Sequence, residues 1–168
     1  MASEPLVLAA VALSGSAAAA IDLRTRCVPN QLTLAIGVLG LALAASHVSG
    51  VTVMGALAGF ALGLLLMLPG HVIGATGAGD VKLFAAIGTL LGPMHIVVAF
   101  IYTAIAGGVL AVIVAARRRR LQETMERTAA FVRTGGSNVG DIEHGLANNR
   151  FAYAPAIAIG ALAAVLGF

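Results

Sequence analysis

Six apolar runs divide the chain, at Pro5 to Ile21, Leu32 to Ser46, Val51 to Pro69, Val81 to Leu91, Met94 to Ala116 and Phe151 to Phe168. Nearly all are long enough to cross a hydrocarbon core about 30 Å thick as a helix, a requirement that narrows the possible folds more than any other feature. The fourth run is the exception. It has about eleven residues, roughly 16 Å at 1.5 Å each, before Gly92 and Pro93 interrupt it. Joined to the fifth run it would make one kinked helix of roughly 54 Å, far longer than the core is thick. Two spans are expected there, and the whole is expected to be an all-α membrane protein, a polytopic bundle of about six transmembrane helices.

Composition agrees. Hydrophobic residues make up 60% and charged residues 10% of the 168, with a mean hydropathy of +1.00, whereas an average soluble domain is about 25% charged. The length suits one compact domain, so residues 1–168 are expected to form a single integral-membrane unit. All ten basic residues, Arg24, Arg26, Lys82, Arg117 to Arg120, Arg127, Arg133 and Arg150, fall on one side of the bilayer if there are six spans. Cytoplasmic loops collect Lys and Arg, so that side is expected to be the cytoplasm, with both termini and the turns near His47 and Gly92 outside. Five spans would strand Lys82 opposite the arginine run. The pI near 9.8 then reflects topology and attraction to the anionic lipid bilayer, and argues against nucleic acid as a partner.

No Lys or Arg precedes the first run, so it lacks the positive flank of a secretory signal and reads as a retained span. The one long polar segment, Arg117 to Arg150, sets Leu121, Met125 and Val132 on one stripe. A cytoplasmic loop over 117–150 carrying an interfacial amphipathic helix is expected, with a solvated continuation of the fifth span as the alternative. Cys27 is the only cysteine. Facing a reducing cytoplasm, it allows neither an intramolecular disulfide nor a cysteine-rich zinc site.

In so apolar a chain, a carboxylate near the bilayer is costly and starts as a functional hypothesis. Asp80 follows GATGAG, with three glycines in six residues, at the cytoplasmic start of the fourth run; Asp22, in AAIDLRTRCVPN, ends the first. The two are 58 positions apart yet expected at one depth. The other acids, Glu4, Glu123, Glu126, Asp141 and Glu143, fall in the outer terminus or the polar segment. Alone, each of the pair has an ordinary explanation: Asp22 as an interfacial partner of Arg24 or Arg26, Asp80 as a helix N-cap. A cap needs neither Gly77 and Gly79 before it nor a matching acid at equal depth. Glycines there open backbone conformations and close approaches denied to other residues, as an extended substrate would require.

Two neighbouring carboxylates cannot both ionise easily, so they share a proton and form one acid and one base. Water between them is deprotonated by the ionised member and attacks a peptide carbonyl. The protonated member hydrogen-bonds the carbonyl oxygen and later protonates the nitrogen. No metal or other cofactor is expected: His47 and His95 fall at the outer face and His144 in the polar segment, so no histidine cluster converges. The glycine-rich stretch lacks the Gly-Lys-Ser/Thr ending of a phosphate loop. Cys27 and His71 fall on one side, but a lone cysteine at a membrane edge is usually inert.

With these residues in view, the chain resembles the type IV prepilin peptidases, the bacterial GxGD intramembrane aspartic proteases, and most of all the small form serving tight-adherence (Flp) pili. DLRTRCVPN, with Asp22, Arg24, Pro29 and Asn30, and GAGDVKL, with Gly77, Gly79, Asp80 and Lys82, carry the resemblance. FAYAPAIAIG, with Tyr153 and Pro155, is a weaker third match. The resemblance implies a catalytic pair of Asp22 and Asp80, a site open to the cytoplasmic face of the bacterial inner membrane, and motif support from the other residues. It also implies a prepilin partner with a basic leader and an apolar helix, cut after a glycine at the leader's end. Larger relatives carry a cytoplasmic zinc-binding segment with paired cysteines and N-methylate the new terminus; this chain has one cysteine and no such segment. The competing readings are a non-proteolytic proton or ion pathway, which would want an acid near the midplane or an inverted repeat, and a pilus-assembly scaffold. The sequence leaves the oligomeric state and the particular prepilin open.

Overall fold

The computed structural model describes residues 3–74, 76–117 and 152–167. Regular structure among them is helical: α1 (Ser3–Thr25), α2 (Asn30–Ala45), α3 (Val53–Val72), α4 (Ala78–Arg117) and α5 (Ala154–Leu166). Pro5–Thr25, Val53–Val72 and Ala78–Val114 are long and apolar enough to cross a membrane, and Asn30–Ala45 and Ala154–Leu166 are shorter apolar helices. Five helical runs thus stand where six spans were expected. The fourth and fifth apolar runs share one 40-residue stretch, α4, in which Gly92 has non-helical geometry (φ 72°, ψ −179°). The expected interfacial helix with Leu121, Met125 and Val132 lies outside the described residues.

A straight helix would hold Phe84 and Phe100 about 24 Å apart. Their ring centroids are 6.1 Å apart, edge to face at 68°, so the two arms of α4, 78–91 and 93–117, fold back toward one another. Gly92 supplies the positive φ, which glycine adopts without a Cβ clash. Pro93, with no N–H and a ring that obstructs the preceding turn, cannot continue the helical ladder.

The first arm is the centre of the bundle: from Val81 to Gly92 every residue except Lys82 is buried. α3 lies antiparallel to it on glycines. A Cβ on Gly59 would strike the carbonyl of Gly88, and one on Gly88 that of Gly59. Gly55, Gly59 and Gly63 recur at every fourth position, the spacing that lets helices approach closely where lipid removes any hydrophobic drive to associate. α2 runs parallel to the first arm, Gly37 over Ala86 and Gly40 over Thr89. α5 packs against both α1 and the second arm, with Ala158 on Gly15 and Gly160 on Thr103. These registers bring the end of α1 and the starts of α2, α4 and α5 to one end of the bundle.

Candidate active site

α1 continues one turn beyond the expected limit at Ile21, so Asp22 sits inside its last turn. Two bonds close that turn. The Thr25 hydroxyl donates to the Ile21 carbonyl (2.9 Å), and Arg26, at φ 52°, donates its N–H to the Asp22 carbonyl (2.7 Å). The Asp22 side chain is 4% exposed, and its Oδ2 accepts the backbone N–H of Ala154 (3.1 Å). That donor belongs to the first turn of α5, where N–H groups have no partner within the helix and the dipole is positive. Pro155 fits the same turn because it has no N–H to leave unpaired. The Tyr153 carbonyl starts the ladder, accepting from Ala156 (3.0 Å) and Ile157 (3.2 Å).

Asp80 is 7% exposed and stands in the first turn of α4. Its Oδ2 accepts the Gly77 N–H (3.1 Å), while the Gly77 carbonyl accepts from Asp80 (3.0 Å) and Val81 (3.2 Å). Asp80 therefore is not the cap residue itself; it reaches back from three positions inside the helix, as the acid of a capping box does. The two glycines of the motif have separate tasks. A Cβ on Gly77 would lie 3.0 Å from Asp80 Oδ2, and one on Gly79 would lie 3.3 Å from Val28 Cβ and 3.4 Å from the Val28 nitrogen. Gly77 lets the carboxylate close on the chain before the helix, and Gly79 seats the α1–α2 loop on the start of α4.

The remaining motif residues mostly converge. Lys82 Nζ donates to Asn30 Oδ1 (3.0 Å), joining the starts of α4 and α2, and Pro29 caps α2 with its carbonyl accepting from Leu32 (3.1 Å) and Thr33 (3.3 Å). Arg24 is exposed in the last turn of α1 and is not drawn into this group. Cys27 and His71 are exposed as well. Gly107 was not foreseen: a Cβ there would fall 2.6–2.8 Å from the Tyr153 ring and hydroxyl, so its small size makes room for that side chain. The Gly107-Gly108 pair in an otherwise apolar span was the available signal. The Ala154 N–H had none, since a backbone donor leaves no mark on residue type.

Asp22 and Asp80 are close enough for their charges to act on one another. Tyr153 faces the same space, near enough to Asp80 for that charge to act on its phenol. Each carboxylate has Oδ2 engaged by a backbone N–H. Chemically, this is a pair of buried acids, each oriented through one oxygen by the main chain. Among the described residues, no three of His, Cys, Asp and Glu assemble as a metal site.

A family model described as the type IV leader peptidase family matches residues 7–112, a stretch that includes Asp22, Asp80 and most of α4 and stops before α5. No curated protein and no solved structure matches the chain.

Proposed function

Since the chain belongs to the type IV leader peptidase family, we propose that it is an intramembrane aspartic endopeptidase that removes the leader of a prepilin-like protein, with Asp22 and Asp80 as the catalytic pair. The observation that carries this reading is the convergence of two buried carboxylates, near enough for their charges to interact and each oriented by a backbone N–H. One Oδ1 holds the shared proton; the other takes a proton from water as its oxygen bonds to the scissile carbonyl carbon. The protonated acid hydrogen-bonds the carbonyl oxygen, and the proton passes to the leaving nitrogen as the C–N bond breaks. The pair returns to its starting state with one proton between the two acids. Tyr153, beside Asp80, is suited to hold that carboxylate or the carbonyl oxygen in place.

The side of the membrane follows from charge. Arg24, Arg26 and Lys82 cluster at the end of the bundle that bears both acids, and cytoplasmic faces of membrane proteins collect such residues. With the two arms of α4 as separate passes, six crossings would put both termini outside and the site at the cytoplasmic face of the inner membrane. There a basic leader can reach the pair while the substrate's apolar helix remains in lipid.

The test is cleavage of a leader-bearing prepilin by the purified protein in detergent, scored on gels with its pH dependence. Two apparent constants belonging to the pair are expected. A protein that inserts and folds but leaves the leader uncut across the pH range would instead favour a proton pathway or an assembly role.

A further inference from the structure

Between Val81 and Gly92, Lys82 is the one exposed position, and it opens onto a groove. α2 and α3 both rest on this arm but diverge, leaving a concavity of about 480 Å³. Leu34 and Val38 line one side, Leu57 and Phe60 the other, with Ala86 and Thr89 as floor. The Thr89 hydroxyl donates to the Ala86 carbonyl (2.7 Å) and the Thr33 hydroxyl to that of Asn30 (2.9 Å). The walls are therefore apolar up to one end, where Lys82 and Asn30 meet.

At that end Lys82 is an ammonium whose hydrogen-bond acceptor is a neutral amide oxygen, and no carboxylate pairs with it among the described residues. An ammonium has three donors, so the position suits an anion. The dimensions choose between carriers of that anion. From Asn30 to Leu41 the groove follows α2 for about 16 Å, close to one leaflet of a core about 30 Å thick. A transmembrane helix would continue past the groove's end. A single acyl chain below an anionic head group matches both the length and the charge.

We propose that this groove is a binding site for an anionic phospholipid of the leaflet on the basic side of the bundle, its chain between α2 and α3 and its phosphate on Lys82. The bound lipid would strap the start of α2 to the start of α4, two residues from Asp80. This is independent of the peptidase reading, because it uses neither carboxylate.

Native mass spectrometry of the full chain, titrated with phosphatidylglycerol or phosphatidylcholine of identical acyl chains, tests it. Phosphatidylglycerol should bind about fivefold more tightly, the ratio given by about 1 kcal/mol for one cation at a membrane surface. Lys82→Gln should erase the difference and Lys82→Arg keep it. Val38→Trp, at an exposed wall position, should fill the groove and weaken both lipids, which keeps the test standing if Lys82→Gln fails to insert. Equal binding of the two lipids, a preference that survives Lys82→Gln, or binding indifferent to Val38→Trp would each overturn the site. So would a photo-crosslinker at Val38 that captures a substrate helix in place of lipid.

Discussion

The two arms of α4 are both strongly apolar and are separated by one glycine, yet they occupy opposite situations. From Leu83 to Gly92 the first arm is buried on every face. The second buries a single stripe, Ile96, Ala99, Thr103 and Gly107, at spacings of three and four, and turns Ile101, Ile105, Val109 and Val112 outward at 54–60% exposure. In water such outward positions would be polar. In lipid they need not be, so what separates a central helix from a peripheral one is close packing rather than polarity. Asp80 stands buried at the start of the central arm, and the catalytic role proposed for it would benefit from a packed surround that holds it in place.

The largest expected effect lies at that start. Asp80→Asn, and equally Asp22→Asn on α1, should reduce prepilin processing by at least about 10²-fold, the lower range for loss of an acid–base group, while Ile105→Ala on the second arm leaves it unchanged. Wild-type processing by either Asn variant at matched membrane levels would dismiss the pair.

Stability should divide along the same line. Ile87→Ala, fully buried, is expected to cost about 2–5 kcal/mol through the cavity it leaves, whereas Ile105→Ala, at 58% exposure, stays within about 0.5 kcal/mol. Thermal unfolding in detergent measures both, and similar shifts would mean that the first arm is not central.

Adding atoms gives a smaller contrast. Gly88→Ala meets the Gly59 carbonyl and should cost about 1–3 kcal/mol as overpacking. Gly108→Ala, with nothing within 4 Å of the new Cβ, should be silent in the same measurement.

The finest distinction is between adjacent residues. Gly107→Ala crowds Tyr153 and should lower activity roughly two- to tenfold, the range of one hydrogen bond's net contribution; Tyr153→Phe should do the same. Gly108→Ala should retain full activity. If Gly107→Ala behaves like Gly108→Ala in prepilin assays and in its pH profile, the Tyr153 ring has no bearing on Asp80.

How much of this could be read from residue types varies with the kind of contact. Asp22 and Asp80 were legible because an acid is conspicuous among apolar runs, and the bend at Gly92 because glycine and proline act locally. The glycines before Asp80 were legible as a demand for close approach, but not that Val28 would be what approaches Gly79. The Lys82–Asn30 bond crosses 52 positions and depends on how α2 and α4 pack. The burial of the first arm was illegible for a simpler reason: a helix facing lipid is apolar all round, so the periodicity that marks the inner face of a soluble helix is missing. Apolar run lengths also misjudged the end of α1, since Asp22 to Thr25 are polar or mixed yet remain helical.

The hydrogen bond from Ala154 to Asp22 spans 132 positions and so has a meaning in time. At about 5–20 residues per second of synthesis, Asp22 leaves the ribosome about 7–26 s before its donor exists. A nascent or stalled chain can already carry both acids in the membrane, but the first waits without the N–H that orients it. Arrival of α5 would convert an inserted precursor into a mature enzyme, so a chain arrested before Tyr153 should be membrane-bound and inert.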